Sequence, residues 1–116
     1  MLGDRIQTLR ALIAYGLPIE PVLADLQSFG WDAPESLVTL NREDIIRILD
    51  RYLTGELTAE QVTDWANLLE CREDIGFPEG DEDLLSETIF RLANPYLTDE
   101  VTLELGQSIR RELAGP

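Results

Sequence analysis

Apolar residues recur along this chain at spacings of three and four, with polar residues filling the intervals. Ile6, Leu9, Leu12 and Ile13 form the first such stripe. They predict a helix over residues 4–15, stopped by Gly16. Pro18 and Pro21 stand where a second helix begins, and Val22, Leu23, Leu26 and Phe29 give it an apolar face ending at Gly30. Residues 30–40 carry no clear period. Pro34 argues against a helix through them, and residues 36–40 read as either a short helix or an extended piece. Trp31 is expected to fold back onto the core.

The second half of the pattern is stronger. Asn41 is an N-cap with Glu43 and Asp44 in the first turn behind it, and Leu40 and Ile45 stand at staple positions. Ile45, Ile48, Leu49, Tyr52 and Leu53, widened by Ile46, make a third helix that Gly55 ends. Thr58 and Gln61 form a capping box, and Leu57 and Val62 a second staple. Val62, Trp65, Ala66 and Leu69 line that fourth helix, so its tryptophan belongs to the core. The short connection makes the third and fourth helices an antiparallel hairpin.

A break follows at residues 76–80. Asp81, Glu82 and Asp83 then suit the positive N-terminal end of a fifth helix, whose face is Leu85, Thr88, Ile89 and Leu92 and whose stop is Pro95. Thr98 caps a sixth, with Asp99 and Glu100 in its first turn and Val101, Leu105, Ile109 and Leu113 spaced by four. Gly106 either weakens this helix or lets a neighbour approach closely. Strand signals are nearly absent and no repeat is found. The expected fold is all-α: one compact bundle of five to six helices over residues 1–116, with a central antiparallel helical hairpin.

Composition narrows the chemistry. The 116 residues suit one domain able to bury a core without metals or disulfides. Asp4, Arg5, Gln7 and Arg10 interrupt the N-terminal hydrophobicity, unlike a signal peptide, and no run approaches the ~20 apolar residues of a membrane span. With a single cysteine, Cys71, this points to the cytoplasm. Carboxylates on both sides of Cys71 disfavour its thiolate, so it reads as inert. Histidine and lysine are absent, and all nine basic residues are arginines. Nucleophile–histidine pairs, histidine-ligated metals and Schiff bases are therefore excluded. Phosphate-binding glycine loops and the nucleophile elbow are missing as well. The expectation is a non-enzyme with no cofactor.

Charge then supplies the functional clue. The net charge is −14, and Glu56 to Asp83 holds ten acids against Arg72 alone. Such a field repels nucleic acid and anionic membranes and favours a basic protein partner. Glu70, Glu73 and Asp74 fall near the C-terminal end of the fourth helix, where acids oppose its dipole. Either they serve a partner or they pair with Arg72 and another arginine. The docking surface expected on this basis comprises Asp64, Asn67, Glu70, Arg72, Glu73, Asp74 and Glu79. No dedicated metal site is expected, because calcium-loop spacing fails from Asp74, where Gly76 and Pro78 occupy ligand positions, and from Asp81, where Ser86 replaces the glycine.

The segments Leu57-Thr58-Ala59-Glu60 through Asp64-Trp65-Ala66-Asn67 and Glu70 through Ile75 resemble a pattern of small acidic bacterial proteins of unknown function. The likeness extends to Ile48–Leu53 and Ile89–Pro95, about the middle half of the chain. Some proteins of this kind are immunity proteins that bind and block a toxin. The resemblance implies a bacterial binding protein and supplies no catalytic residues. The alternatives are a structural or homo-oligomeric helical protein and a nucleic-acid mimic.

Overall fold

The computed structural model describes residues 2–29, 35–70, 72–98 and 100–115. Among these residues six helices run in order: α1 (Leu2–Ala14), α2 (Glu20–Leu26), α3 (Arg42–Leu53), α4 (Ala59–Leu69), α5 (Glu82–Ala93) and α6 (Leu103–Ala114). Two short strands, β1 (Val38–Thr39) and β2 (Ile75–Gly76), pair in parallel, Val38 opposite Ile75 and Thr39 opposite Gly76. The fold is thus a mostly helical bundle. Residues 36–40 take the extended alternative. The readings for Gly30, Trp31, Pro34, Cys71 and Asp99 lie outside the described residues.

Local signals set the start of α3 and α4 where the sequence places them. The Asn41 N–H donates to the Asp44 carboxylate at 2.8 Å, and the two staple residues Leu40 and Ile45 are both buried. Thr58 and Gln61 exchange both bonds of a capping box, at 3.1 and 2.9 Å. The same logic fails at α6. The Thr98 hydroxyl donates back to the Arg91 and Asn94 carbonyls, so it closes α5 instead of opening α6. The true N-cap is Thr102, whose Oγ1 accepts from the Leu105 N–H at 3.1 Å.

The hairpin α3–α4 is joined through residues 54–58 and its helices touch, but each has a larger partner. α3 packs mainly on α6 and α4 mainly on α5, so the hairpin is the seam between two helix pairs. Gly106 explains the first pair. A Cβ there would lie 3.3 Å from the Tyr52 ring, so the missing side chain lets α6 approach α3 closely. A second glycine closes the small sheet: a Cβ on Gly76 would meet Ser36 Oγ at 2.8 Å.

α1 lies against β1, α3 and α4. Its last turn is secured from outside. The wholly buried Trp65 donates its indole N–H to the Leu12 and Ile13 carbonyls, both at 3.1 Å. Arg51 Nη1 donates to the Ala14 and Tyr15 carbonyls at 2.8 and 3.0 Å. These carbonyls lie in the last turn, where a helix runs out of its own donors; that of Leu12 also accepts the Tyr15 N–H at 3.0 Å. Tyr15, at φ 51°, turns the chain away after them, in the left-handed conformation typical of a helix stop. Gly16, the expected stop, follows one residue later.

Trp65→Phe keeps an aromatic ring but removes the indole donor and part of the ring volume from a fully buried site. It is expected to cost about 1–3 kcal/mol or more, the lost hydrogen bond and the cavity acting together. Urea unfolding of both proteins checks this. A lower midpoint at constant slope is the expected result.

Candidate functional site

The acidic stretch divides once the fold is in place. Asp74, expected on a docking surface, is wholly buried, and Arg72 is buried with it. Arg72 grips the carboxylate as a fork, Nε to Oδ1 and Nη2 to Oδ2, both at 2.9 Å. Arg5 reaches across from α1 and donates through Nη2 and Nε to Oδ2, at 2.9 and 3.1 Å. The Arg5 guanidinium also sits over the Phe29 ring, 5.9 Å from its centre. Asp74 and Arg72 therefore leave the docking set: their charges are spent on each other and on Arg5. Pairing with Arg72 and another arginine is the reading that applies to Asp74.

The Asp74 main chain is used as well. Its carbonyl accepts from the Leu37 and Val38 N–H groups at 2.8 and 3.2 Å, which starts the β1–β2 pairing. Burial by itself would raise the Asp74 carboxyl. Hydrogen bonds and charge from Arg72 and then Arg5 outweigh it and hold the group below its ordinary range.

Two more acids of the stretch are committed to distant arginines. Asp81, at the N-cap of α5, takes a two-bond grip from Arg42 at 2.7 and 3.0 Å, and the same arginine donates to the Leu113 carbonyl at the end of α6. Asp81 was expected to suit the positive end of α5, and through it Arg42 of α3 links α5 to α6 as well. Glu56 pairs with Arg51.

The remaining expected residues are differently placed. Helix α4 ends at Leu69, and Glu70 is already extended at ψ 134°. Glu73 and Asp74 therefore lie beyond the helix, and the dipole argument touches only Glu70. Asp64 and Asn67 are exposed on the outer side of α4, and Asp64 is near enough to Tyr15 to help burial raise that phenol. Glu73 and Glu79 are exposed on the segments flanking β2. No cleft or ion pair described for the protein gathers these four.

Glu70 does have a setting. It borders a cleft of about 390 Å³ floored by Leu69, Ile75, Phe77 and Ile89 and edged by Phe90. Asn94 Nδ2 donates to Glu70 Oε2 at 3.0 Å and to the Phe90 carbonyl at 3.0 Å, which fixes the carboxylate beside the end of α5. The Tyr96 hydroxyl makes a long contact of 3.4 Å to Asn94 Oδ1. Around this point stand large exposed apolar side chains: Phe90, 43% exposed, Leu97, 63%, and Tyr96, 81%.

These three were missed, yet the sequence carries a signal for them. Phe90 is off the Leu85–Ile89–Leu92 stripe, and Tyr96 and Leu97 follow the helix-ending Pro95. Among the described residues, no group of three acids or cysteines stands placed to hold a metal ion, and no helix is long and apolar enough to cross a membrane. No protein-family model matches the chain, and neither a curated protein nor a solved structure matches it.

Asp74→Asn is expected to lower stability by about 3–5 kcal/mol, since it removes the buried carboxylate that two guanidinium groups grip. Glu73→Gln should stay within about 0.5 kcal/mol, as exposed positions do. The acid limb separates them further. The folded Asp74 stays ionised at pH values where the unfolded chain is already protonated. Its contribution is therefore complete above about pH 4 and is lost as pH falls below that. Denaturant midpoints measured from pH 6 down to pH 3 should fall more steeply for the wild type than for Asp74→Asn.

Proposed function

We propose that this chain is a small bacterial binding protein of the cytoplasm that docks on a basic protein surface, as an immunity protein or inhibitor does, without catalysing a reaction. One observation carries the reading: a fixed carboxylate, Glu70, next to an apolar cleft and three exposed large apolar side chains, Phe90, Tyr96 and Leu97. Interface centres favour rigid aromatic anchors, and charge around them orients the partner. Glu73, Glu79 and Asp64 stay exposed and add negative surface charge, and Asn67 is an exposed polar neighbour of Asp64 on α4. The net charge of −14 speeds encounter with a basic partner.

A second reading, self-association, rests on the same exposed apolar residues. It brings two chains of like charge together, which electrostatics opposes. Sedimentation at low and high salt separates the two readings, because screening should promote a self-associated form and weaken a complex with a basic protein.

The decisive experiment is affinity capture on the immobilised protein at low salt, alongside Glu70→Gln/Glu73→Gln and Tyr96→Ala/Leu97→Ala. The expected result is a basic protein held by the wild type. Truncating the aromatic anchor should cost about 2 kcal/mol or more of binding. A partner retained equally by both variants, or the absence of any stoichiometric partner, overturns the proposal.

A further inference from the structure

A second surface stands apart from the acidic one. A cleft of about 380 Å³ has β1 as its floor and two helices as its walls. Leu37, Val38 and Thr39 form the floor, α1 contributes Arg10 and Ile13, and α3 contributes Asp44 and Arg47. Most arginines of this chain are tied to acids: Arg5 and Arg72 to Asp74, Arg42 to Asp81, Arg51 to Glu56, Arg110 to Asp50 and Arg91 to Glu112. With 23 acids available, pairing is easy. Yet among the described residues Arg10 and Arg111 are exposed with no ion pair, and Arg47 is 61% exposed with a loose 3.4 Å contact to Asp44. Arg10 and Arg47 line this one cleft, and Arg111 stands on α6. Asp44 is partly occupied already, since it accepts the Asn41 N–H at 2.8 Å.

The floor offers the other half of a site. The N–H groups of Val38 and Leu40 donate towards β2, to the Asp74 and Gly76 carbonyls. Backbone groups alternate along a strand, so the N–H and C=O of Thr39 between them point to the opposite edge. Thr39 is exposed and lines the cleft. An open strand edge recruits extended peptide.

We infer that this cleft binds an extended, acidic peptide segment, which adds as a third strand on Thr39 and places its carboxylates against Arg10 and Arg47. A peptide residue facing Thr39 in the antiparallel sense exchanges two hydrogen bonds with it. The guanidinium groups select carboxylates over cations. At 0.1 M salt the surrounding negative field is largely screened beyond roughly 10 Å and opposes the peptide only close to the surface, so recognition depends on contacts made inside the cleft.

The test is a titration of ¹⁵N-labelled protein, followed by amide shifts, with a capped Val-Glu-Val-Glu tetrapeptide. Three further probes run beside it: the Val-Lys-Val-Lys analogue, the same acidic peptide with N-methylated backbone, and inorganic phosphate. Saturable movement of the Thr39 amide is expected with the acidic peptide alone. Arg10→Gln and Arg47→Gln should each weaken it about tenfold, the loss expected for a charge-assisted hydrogen bond. Arg111→Gln, an exposed arginine on α6, should leave it unchanged. Equal binding of the lysine or N-methylated peptide overturns the inference, as does a Thr39 amide that does not move. Phosphate binding as tightly as the peptide also overturns it, since that is a simple anion site. The N-methylated arm changes nothing in the protein, so the result stands whether or not a variant folds. Because it uses a different face and an acidic probe, its failure is distinguishable from failure of the basic-partner proposal.

Discussion

A carboxylate removed from water has to be matched by cations, and in this protein that requirement at Asp74 organises the structure around it. Asp74 is wholly buried, and two guanidinium groups converge on it, one from its own turn and one from α1. Its carbonyl meanwhile opens the strand pairing through Leu37 and Val38. A single residue thus couples the N-terminal helix, the two-stranded sheet and the exit from α4. Replacing such a cluster with apolar residues can be neutral, but removing one charge leaves the others stranded. Through Arg5 the cluster ties α1 to Asp74.

The same economy governs the acidic stretch as a whole. Read along the chain, it is a block of like charge. Read in space, Asp74, Asp81 and Glu56 are neutralised by Arg5 with Arg72, by Arg42 and by Arg51. Arginine suits these tasks because its planar fork engages both carboxylate oxygens and spare donors can reach carbonyls, as Arg42 and Arg51 do at the ends of α6 and α1. The acids of the stretch that stay exposed outside these pairs are Glu60 and Asp64 on α4, Glu73 and Glu79 on either side of β2, and Glu82 and Asp83 in the first turn of α5, with Glu70 half-buried. The local field is weaker than the composition suggests.

The helices were legible because apolar stripes and caps are short-range signals. Asn41, Thr58 and the Ile45–Leu53 stripe specify α3 and α4 within a few residues of themselves. The cap at Thr98 misled for a short-range reason too: a threonine before two acids suits a helix start, but here its hydroxyl bonds backward to Arg91 and Asn94. The two-residue strands left no period to read, since Val38–Thr39 and Ile75–Gly76 pair across the whole of α3 and α4. The candidate site was half legible. The unusual acids at Glu70–Asp74 were visible, but which of them is buried depends on Arg5, nearly seventy residues away along the chain. The exposed Phe90, Tyr96 and Leu97 needed the fold, because apolar residues are assigned to a core until the core is seen to exclude them.

α1 is held towards both ends by side chains from other elements: Asp74 accepts from Arg5 near its beginning, and Trp65 and Arg51 donate to its final carbonyls. Ordinary helices fray from their ends, and backbone amides there trade hydrogen with solvent long before the molecule unfolds. Fraying at either end of α1 would instead break a buried contact with the rest of the protein. Opening either end of α1 therefore costs tertiary contacts as well as its own hydrogen bonds, whereas α2 packs chiefly on α1. The first helix of the chain is tied into its centre.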